Sequence, residues 1–286
     1  MLRYDVGIFK DEIGCISPKM TVTDEEQLLD IGRFMTALNP VFLPENNATR
    51  TEYTFQLLEQ TLEHFKISKY WEFIFQTILF DSIISNTDRH QENWAFIGQN
   101  TIMSSSLLDL DNELKDKNHE KTNWFFKWLH RNLFSAKKNK LHKETKQIIL
   151  ETINISKTAP IFDSGSSLAR ELTDEKIDLL LSNQSELNKY IENGKAELHW
   201  NGKKITHFGL IQELLNSSHR DEVLKAADFL KKWHNDLIIK ILENAEKQIP
   251  EKWKSYSIPH NRKALIIKLI TLRWEKLNKL INDRLQ

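Results

Sequence analysis

The chain is poor in the residues that most often announce a function. Cys15 is its only cysteine, so no disulfide can close within the chain and no cysteine-based zinc site can form. Glycine occurs only eight times in 286 residues, well under the roughly 7% of an average protein. Neither G-x-G-x-x-G nor G-x-x-x-x-G-K-[ST] can be written through those positions, which removes the usual glycine-rich cradles for phosphate. No apolar run reaches the roughly 18 residues of a membrane span, and the opening MLRYDVGIFKDE has no apolar signal-peptide core. A cytoplasmic location, with no membrane partner, is therefore expected. Forty basic residues balance forty acidic ones, so no global field draws the chain to nucleic acid or anionic lipid. Contact with nucleic acid is expected only weakly or through a partner.

What is present is a chain with 40% hydrophobic residues, enough to bury a substantial core. Residues 4–17 alternate loosely, with Gly7 and Gly14 at turn-like positions, and predict one or two short strands. Thr23 and Glu26 form a capping-box pattern that predicts a helix over 24–37, closed by Asn39-Pro40. Further helices are predicted at 51–66, 70–83, 173–192, 206–216, 220–247 and 260–284. Short strands are expected at Trp94–Gly98 and within 158–168. Residues 99–157 change character, with SSSLLDLDNELKDKNHE, an aromatic stretch TNWFFKWLHRNLF and a basic run KKNKLHKETK, and read as an insertion. The fold class is α+β and predominantly α-helical.

The stretch 84–94, I-S-N-T-D-R-H-Q-E-N-W, comes directly after the strongly apolar helix at 70–83. Taken alone, Asp88 and Asn93 would be capping and turn residues, His90 a brace for the loop, and Arg89 the partner of a local carboxylate or phosphate. A second loop changes the reading. A-P-I-F-D-S-G-S-S-L at 159–168 ends an apolar run with Asp163 and a glycine turn. Phosphoryl transfer needs a group that accepts the proton of an attacking hydroxyl, and oxygen ligands that hold magnesium against a triphosphate. Asp88 suits the first task; Asn93 and Asp163 suit the second. The D-x-x-x-x-N spacing and the Asp-x-Gly turn match the catalytic and metal-binding loops of protein kinases. Within the insertion, L-L-D-L-D-N at 107–112 offers Asp111 as a rival metal ligand, but the proline, apolar run and glycine turn around Asp163 make the more coherent loop.

The wording of these two loops resembles that of HipA-like serine/threonine kinases, the toxin kinases of bacterial toxin-antitoxin systems. H-W at 199–200, H-F-G-L-I at 207–211 and R-x-x-x-L at 273–277 agree more loosely. The resemblance implies a protein-kinase-like C-terminal lobe over residues 18–286, with short strands around the two loops, and residues 1–17 as a remnant of N-lobe strands and hinge. It implies transfer of the ATP γ-phosphoryl to a protein hydroxyl. Asp88 would be the catalytic base, with Arg89 and His90 beside it, and Asn93 and Asp163 would bind the nucleotide through Mg2+. The family's N-lobe carries a phosphate-binding loop and a nucleotide-binding lysine. V-G-I-F-K at 6–10 superficially resembles that lysine's strand, with Lys10 in its place, but no glycine-rich hairpin precedes it. A partner chain that supplies the N-lobe, a protein substrate and an antitoxin are the partners implied. Two alternatives stand beside this reading: a pseudokinase, and a helical scaffold that binds antitoxin or nucleic acid without catalysis.

Overall fold

The computed structural model describes residues 2–44, 46–106, 147–232, 235–247 and 249–284. They divide into two compact units, one of Met1–Val22, Leu28–Ile97 and Lys157–Gln286, the other of Thr23–Gln27 and Gly98–Ser156. Asp111, the aromatic stretch and the basic run of the expected insertion lie outside the described residues.

The chain opens with an antiparallel hairpin, β1 (Asp5–Phe9) and β2 (Glu12–Ile16), in register Gly7 to Gly14. Its two-residue turn is Lys10-Asp11, both at positive φ (49° and 62°), the backbone that a tight hairpin demands. Lys10 is thus a turn residue, exposed, with its ammonium 5.2 Å from the Phe9 ring centroid.

The helix expected over 24–37 forms only in its second half. Residues 26–30 instead make strand β3 (Glu26–Asp30), which leads into α1 (Ile31–Leu38). Asp30, not Thr23, caps that helix, accepting from the Arg33 N–H at 3.0 Å. Burial explains the difference: Leu29 is 2% exposed, and Leu28 packs against the buried cluster of Ala95, Ile97 and Ala159. Packing of a pleated segment overrides a local capping preference. β3 belongs to a three-stranded sheet of order β3-β4-β5, in which β4 is Ala95–Ser106 and β5 is Gln147–Thr158.

The first unit is mainly helical: α2 (Phe55–His64), α3 (Trp71–Ile84), α4 (Asp174–Ser182), α5 (Gln184–Asn193), α6 (His207–Leu215), α7 (Arg220–Ala226), α8 (Asn235–Ala245) and α9 (His260–Asn282). The α3 helix is its axis. Apolar residues run round nearly all of it, and α6, α7 and α9 pack on it. The run expected as one helix over 173–192 breaks at Asn183, whose side chain accepts from the N–H groups of Ser185 (3.0 Å) and Glu186 (3.2 Å) and so starts a new helix. The run expected over 220–247 is likewise divided, by a 3₁₀ turn at Ala227–Lys232. Among the described residues no helix is long and apolar enough to cross a membrane.

Candidate active site

The site is assembled at the C-terminal end of α3. That helix carries one acid near its end, Asp81, which is 4% exposed in otherwise apolar surroundings. Ser85 ends the helix in the left-handed conformation (φ 56°), and the Asn86 N–H returns to the Asp81 carbonyl at 3.0 Å. The chain turns sharply into residues 86–93 while still tied to the rigid helix.

Arg89 organises the turn. Its Nε and Nη2 donate to the two carboxylate oxygens of Asp81 at 2.8 and 2.9 Å. Nη1 donates to the carbonyls of Asn93 (3.3 Å) and Phe162 (2.5 Å), and Nη2 also to Ser164 Oγ (3.0 Å). One guanidinium therefore binds the buried helix, the 88–93 loop and the 159–168 loop together, the fork geometry for which arginine is suited and lysine is not. Burial pushes the Asp81 carboxyl up, against the pull of Arg89. Burial opposes the Arg89 charge as well, but hydrogen bonding and attraction from Asp81 outweigh it and hold the guanidinium ionised. Asn86 adds an amide donor to Asp81 Oδ1 at 3.1 Å.

The remaining loop contacts fix the groups that point outward. Tyr53 Oη and Trp94 Nε1 both donate to the Arg89 carbonyl, at 2.9 and 3.3 Å. Gly32 lets α1 approach closely, since a Cβ there would lie 2.7 Å from Gln91 Cγ. His90 starts the short 3₁₀ turn Gln91–Asn93, its Nδ1 accepting from the Glu92 N–H at 3.3 Å. Asp88 is exposed, and a cavity of about 220 Å³ opens beside it, between loop residues His90 and Glu92 on one side and Phe42, Arg50 and Tyr53 on the other.

The second loop reaches the first through several bonds. It is not the strand expected within 158–168. β5 ends at Thr158, Pro160 has no N–H to continue a ladder, and after the Ala159 N–H bonds to Ala95 O (2.9 Å) the chain runs irregularly. The Leu2 N–H bonds to Ile161 O at 2.8 Å, and the Asp163 N–H to Tyr4 Oη at 3.1 Å. Asp163 sits at φ 47°, a left-handed backbone uncommon outside glycine, with its side chain exposed. Beyond it, the Thr87 N–H bonds to Ser166 O (3.2 Å) and the Leu168 N–H to Ile84 O (2.9 Å).

All five residues singled out from the sequence thus lie on two loops that Arg89 joins. Asp88, His90 and Asp163 face outward, whereas Arg89 and Asn93 are buried at 3% and 6% exposure. Asp81, Tyr4, Tyr53 and Ser166 belong to the same network and were not anticipated. Only Asp81 carried a signal, as a lone acid late in a helix that is otherwise built for the core.

No family model matches the chain, and no curated protein matches it in sequence. The structure is similar to the crystal structure of a Helicobacter pylori proinflammatory kinase, CtkA, with a TM-score of 0.63 over 99% of this chain and 77% of that one, at 17% identity. The fold is kinase-like. That likeness places the α+β, mostly helical class on firm ground.

Whether the site suits magnesium can be judged from its donors. The Asn93 amide nitrogen donates to the Asp88 carbonyl at 3.0 Å, which leaves Oδ1 without a protein donor among the described residues. The Asp163 carboxylate is exposed and accepts no hydrogen bond among them. Those residues contain no group of three or more His, Cys, Asp and Glu placed to hold a cation. One carboxylate and one amide oxygen do not make a closed protein cage, but they fit a cation that arrives with phosphate oxygens, as magnesium does.

Proposed function

We propose that the chain is a HipA-like serine/threonine kinase lobe that transfers the γ-phosphoryl of ATP to a protein hydroxyl, as the toxin component of a toxin-antitoxin pair. The observation that carries the reading is the single Arg89 guanidinium bonded to both Asn93 O and Phe162 O. It brings an amide and a carboxylate, seventy positions apart in sequence, onto neighbouring loops beside Asp88. In this reading Asp88 accepts the proton of the acceptor hydroxyl. Asn93 and Asp163 hold Mg2+, which when bound neutralises charge on the phosphates. Arg89 positions the two loops without touching substrate, and His90 braces the turn beside the cavity where an acceptor side chain enters.

The hairpin of β1 and β2 carries a Lys10-Asp11 turn rather than a phosphate-binding loop. The nucleotide cradle is therefore assigned to residues outside those described or to a partner chain, with an antitoxin and the substrate protein as further partners. A cytoplasmic setting, where ATP is at hand, belongs to the same proposal. The test is transfer from γ-labelled ATP with magnesium to cell-extract proteins, in the presence of the partner. Label that survives Asp111→Ala and disappears with Asp163→Ala supports the assignment. The reverse pattern moves the metal site to the 107–112 segment, and no label with the unaltered chain favours the non-catalytic scaffold.

A further inference from the structure

Thr87, the residue before Asp88, lines a cavity of its own, distinct from the one that opens at His90. That cavity holds about 530 Å³, and its walls come from Thr87, from α4 and α5, and from Gly194-Lys195. Its charges are unequal. Lys176, Lys189 and Lys195 line it against Glu171 and Glu186, and both acids are already matched. Glu186 accepts from Lys189 Nζ at 2.8 Å and has Lys176 Nζ at 3.9 Å; Glu171 accepts from the Tyr190 hydroxyl at 2.7 Å. Lys195 is exposed and makes no ion pair among the described residues.

A second cation stands behind the wall. A Cβ on Gly194 would lie 3.2 Å from Arg273 Nη1 and 3.5 Å from Nη2, so only glycine backbone separates that guanidinium from the cavity. Arg273 is 0% exposed. Its Nε donates to Ser82 O at 2.6 Å and its Nη1 to Ile191 O at 2.9 Å, and the group lies 5.0 Å from the Phe208 ring centroid. Its Nη2 has no partner, and no carboxylate pairs with it, among the described residues. A buried charge is little screened by solvent, and this one adds to the field of the lysines.

From this charge and position, and resting on the reading of Asp88 as the base, we infer that the cavity is a docking subsite for an acidic residue of the protein substrate. Lys195 is the specificity-determining residue, pairing with the incoming aspartate or glutamate, and Arg273 favours the same sign of charge without touching it. Leu180 and the Tyr190 ring supply apolar wall for the stem of that side chain. Thr87 adjoins Asp88, and an extended chain advances about 3.3–3.6 Å per residue, so the acidic residue lies within about three positions of the acceptor hydroxyl. The contact is remote from the reacting atoms and the same in ground and transition states, so it acts on KM rather than kcat.

The experiment uses synthetic peptides with one central serine and glutamate, alanine or lysine at each of the three positions on either side. Transfer from γ-labelled ATP with magnesium is measured with the full chain and its partner. Binding of the same peptides, fluorescently labelled, is measured by anisotropy on Asp88→Asn, which does not depend on turnover. Glutamate at one or more positions should lower KM about tenfold relative to alanine, with kcat kept within about twofold. Lys195→Glu should erase that preference and favour the lysine peptide, whereas Lys195→Arg should keep it, with thermal melting unchanged in both. Equal KM for all peptides, or a glutamate preference that survives Lys195→Glu, overturns the inference. So does a single-stranded RNA oligonucleotide that displaces the acidic peptide at a lower concentration than the peptide itself binds. Selective binding of the acidic peptide without any transfer supports the subsite and overturns the reading of Asp88; neither binding nor transfer overturns both.

Discussion

Arg89 and Asp81 form a two-pronged ion pair at 2.8 and 2.9 Å, with side chains 3% and 5% exposed. Buried so deeply, neither charge can be left alone, and a lysine at 89 could reach one oxygen but not also the carbonyls of Asn93 and Phe162. Arg89→Lys should cost about 2–4 kcal/mol of stability and lower the melting temperature by several degrees. Phosphoryl transfer should fall at least about a hundredfold even well below the melting point, because the loops lose their common anchor. Thermal melting and label incorporation on one preparation check both halves.

Tyr4 does for Asp163 what Arg89 does for the loops as a whole. Its hydroxyl accepts the Asp163 N–H in a left-handed conformation, so Tyr4→Phe removes about 0.5–1.5 kcal/mol of support from that backbone. The magnesium concentration for half-maximal transfer should rise about three- to tenfold, with the maximal rate kept within about twofold. Paramagnetic titration with Mn2+ gives a second readout that does not depend on turnover. An unchanged metal requirement in both assays means that Tyr4 only fills space.

The two loops were legible in the sequence because their chemistry is local: an acid, an amide and a glycine turn at fixed spacings. The α3 helix was legible from local sequence too, with Trp71, Ile74, Phe75, Ile78 and Leu79 at helical spacing and further apolar residues covering the rest of its surface. The contacts that bind the site together were not. Asp81 lies eight residues from Arg89, across a helix end that breaks any regular period between them, and Phe162 lies 73 residues away, outside any local window. The β3 segment was misread because Thr23 and Glu26 carry a helix signal, while the reason for a strand, Leu28 against Ala95 and Ile97, is tertiary. The break at Asn183 was overlooked although an asparagine there can cap the α5 helix.

His207 provides a test of the core beneath the site. It is 3% exposed with Nε2 unpartnered among the described residues, and burial, aided by the Arg273 charge, lowers its pKa to about 3. Its folded value lies below its unfolded one, so the unfolded chain binds the extra proton first. Stability from the neutral imidazole is complete above about pH 6.5 and is lost as pH falls through the window toward 3. At pH 4.5 the loss should be on the order of 2 kcal/mol. Chemical denaturation at pH 7 and 4.5 should show a smaller pH-linked drop for His207→Gln than for the unaltered chain; equal drops would place the imidazole's titration elsewhere.

Asp88 as a base held in place by a rigid helix is the centre of the account, and one substitution isolates it. Asp88→Asn keeps the shape of the side chain and its loop but removes the proton acceptor. With the partner, ATP, magnesium and cell-extract protein present, label incorporation by Asp88→Asn should fall about a thousandfold or more, while its thermal melting and its metal-nucleotide binding stay those of the unaltered chain. Equal incorporation by the two proteins, at equal stability, would contradict the assignment and leave the non-catalytic scaffold as the better account.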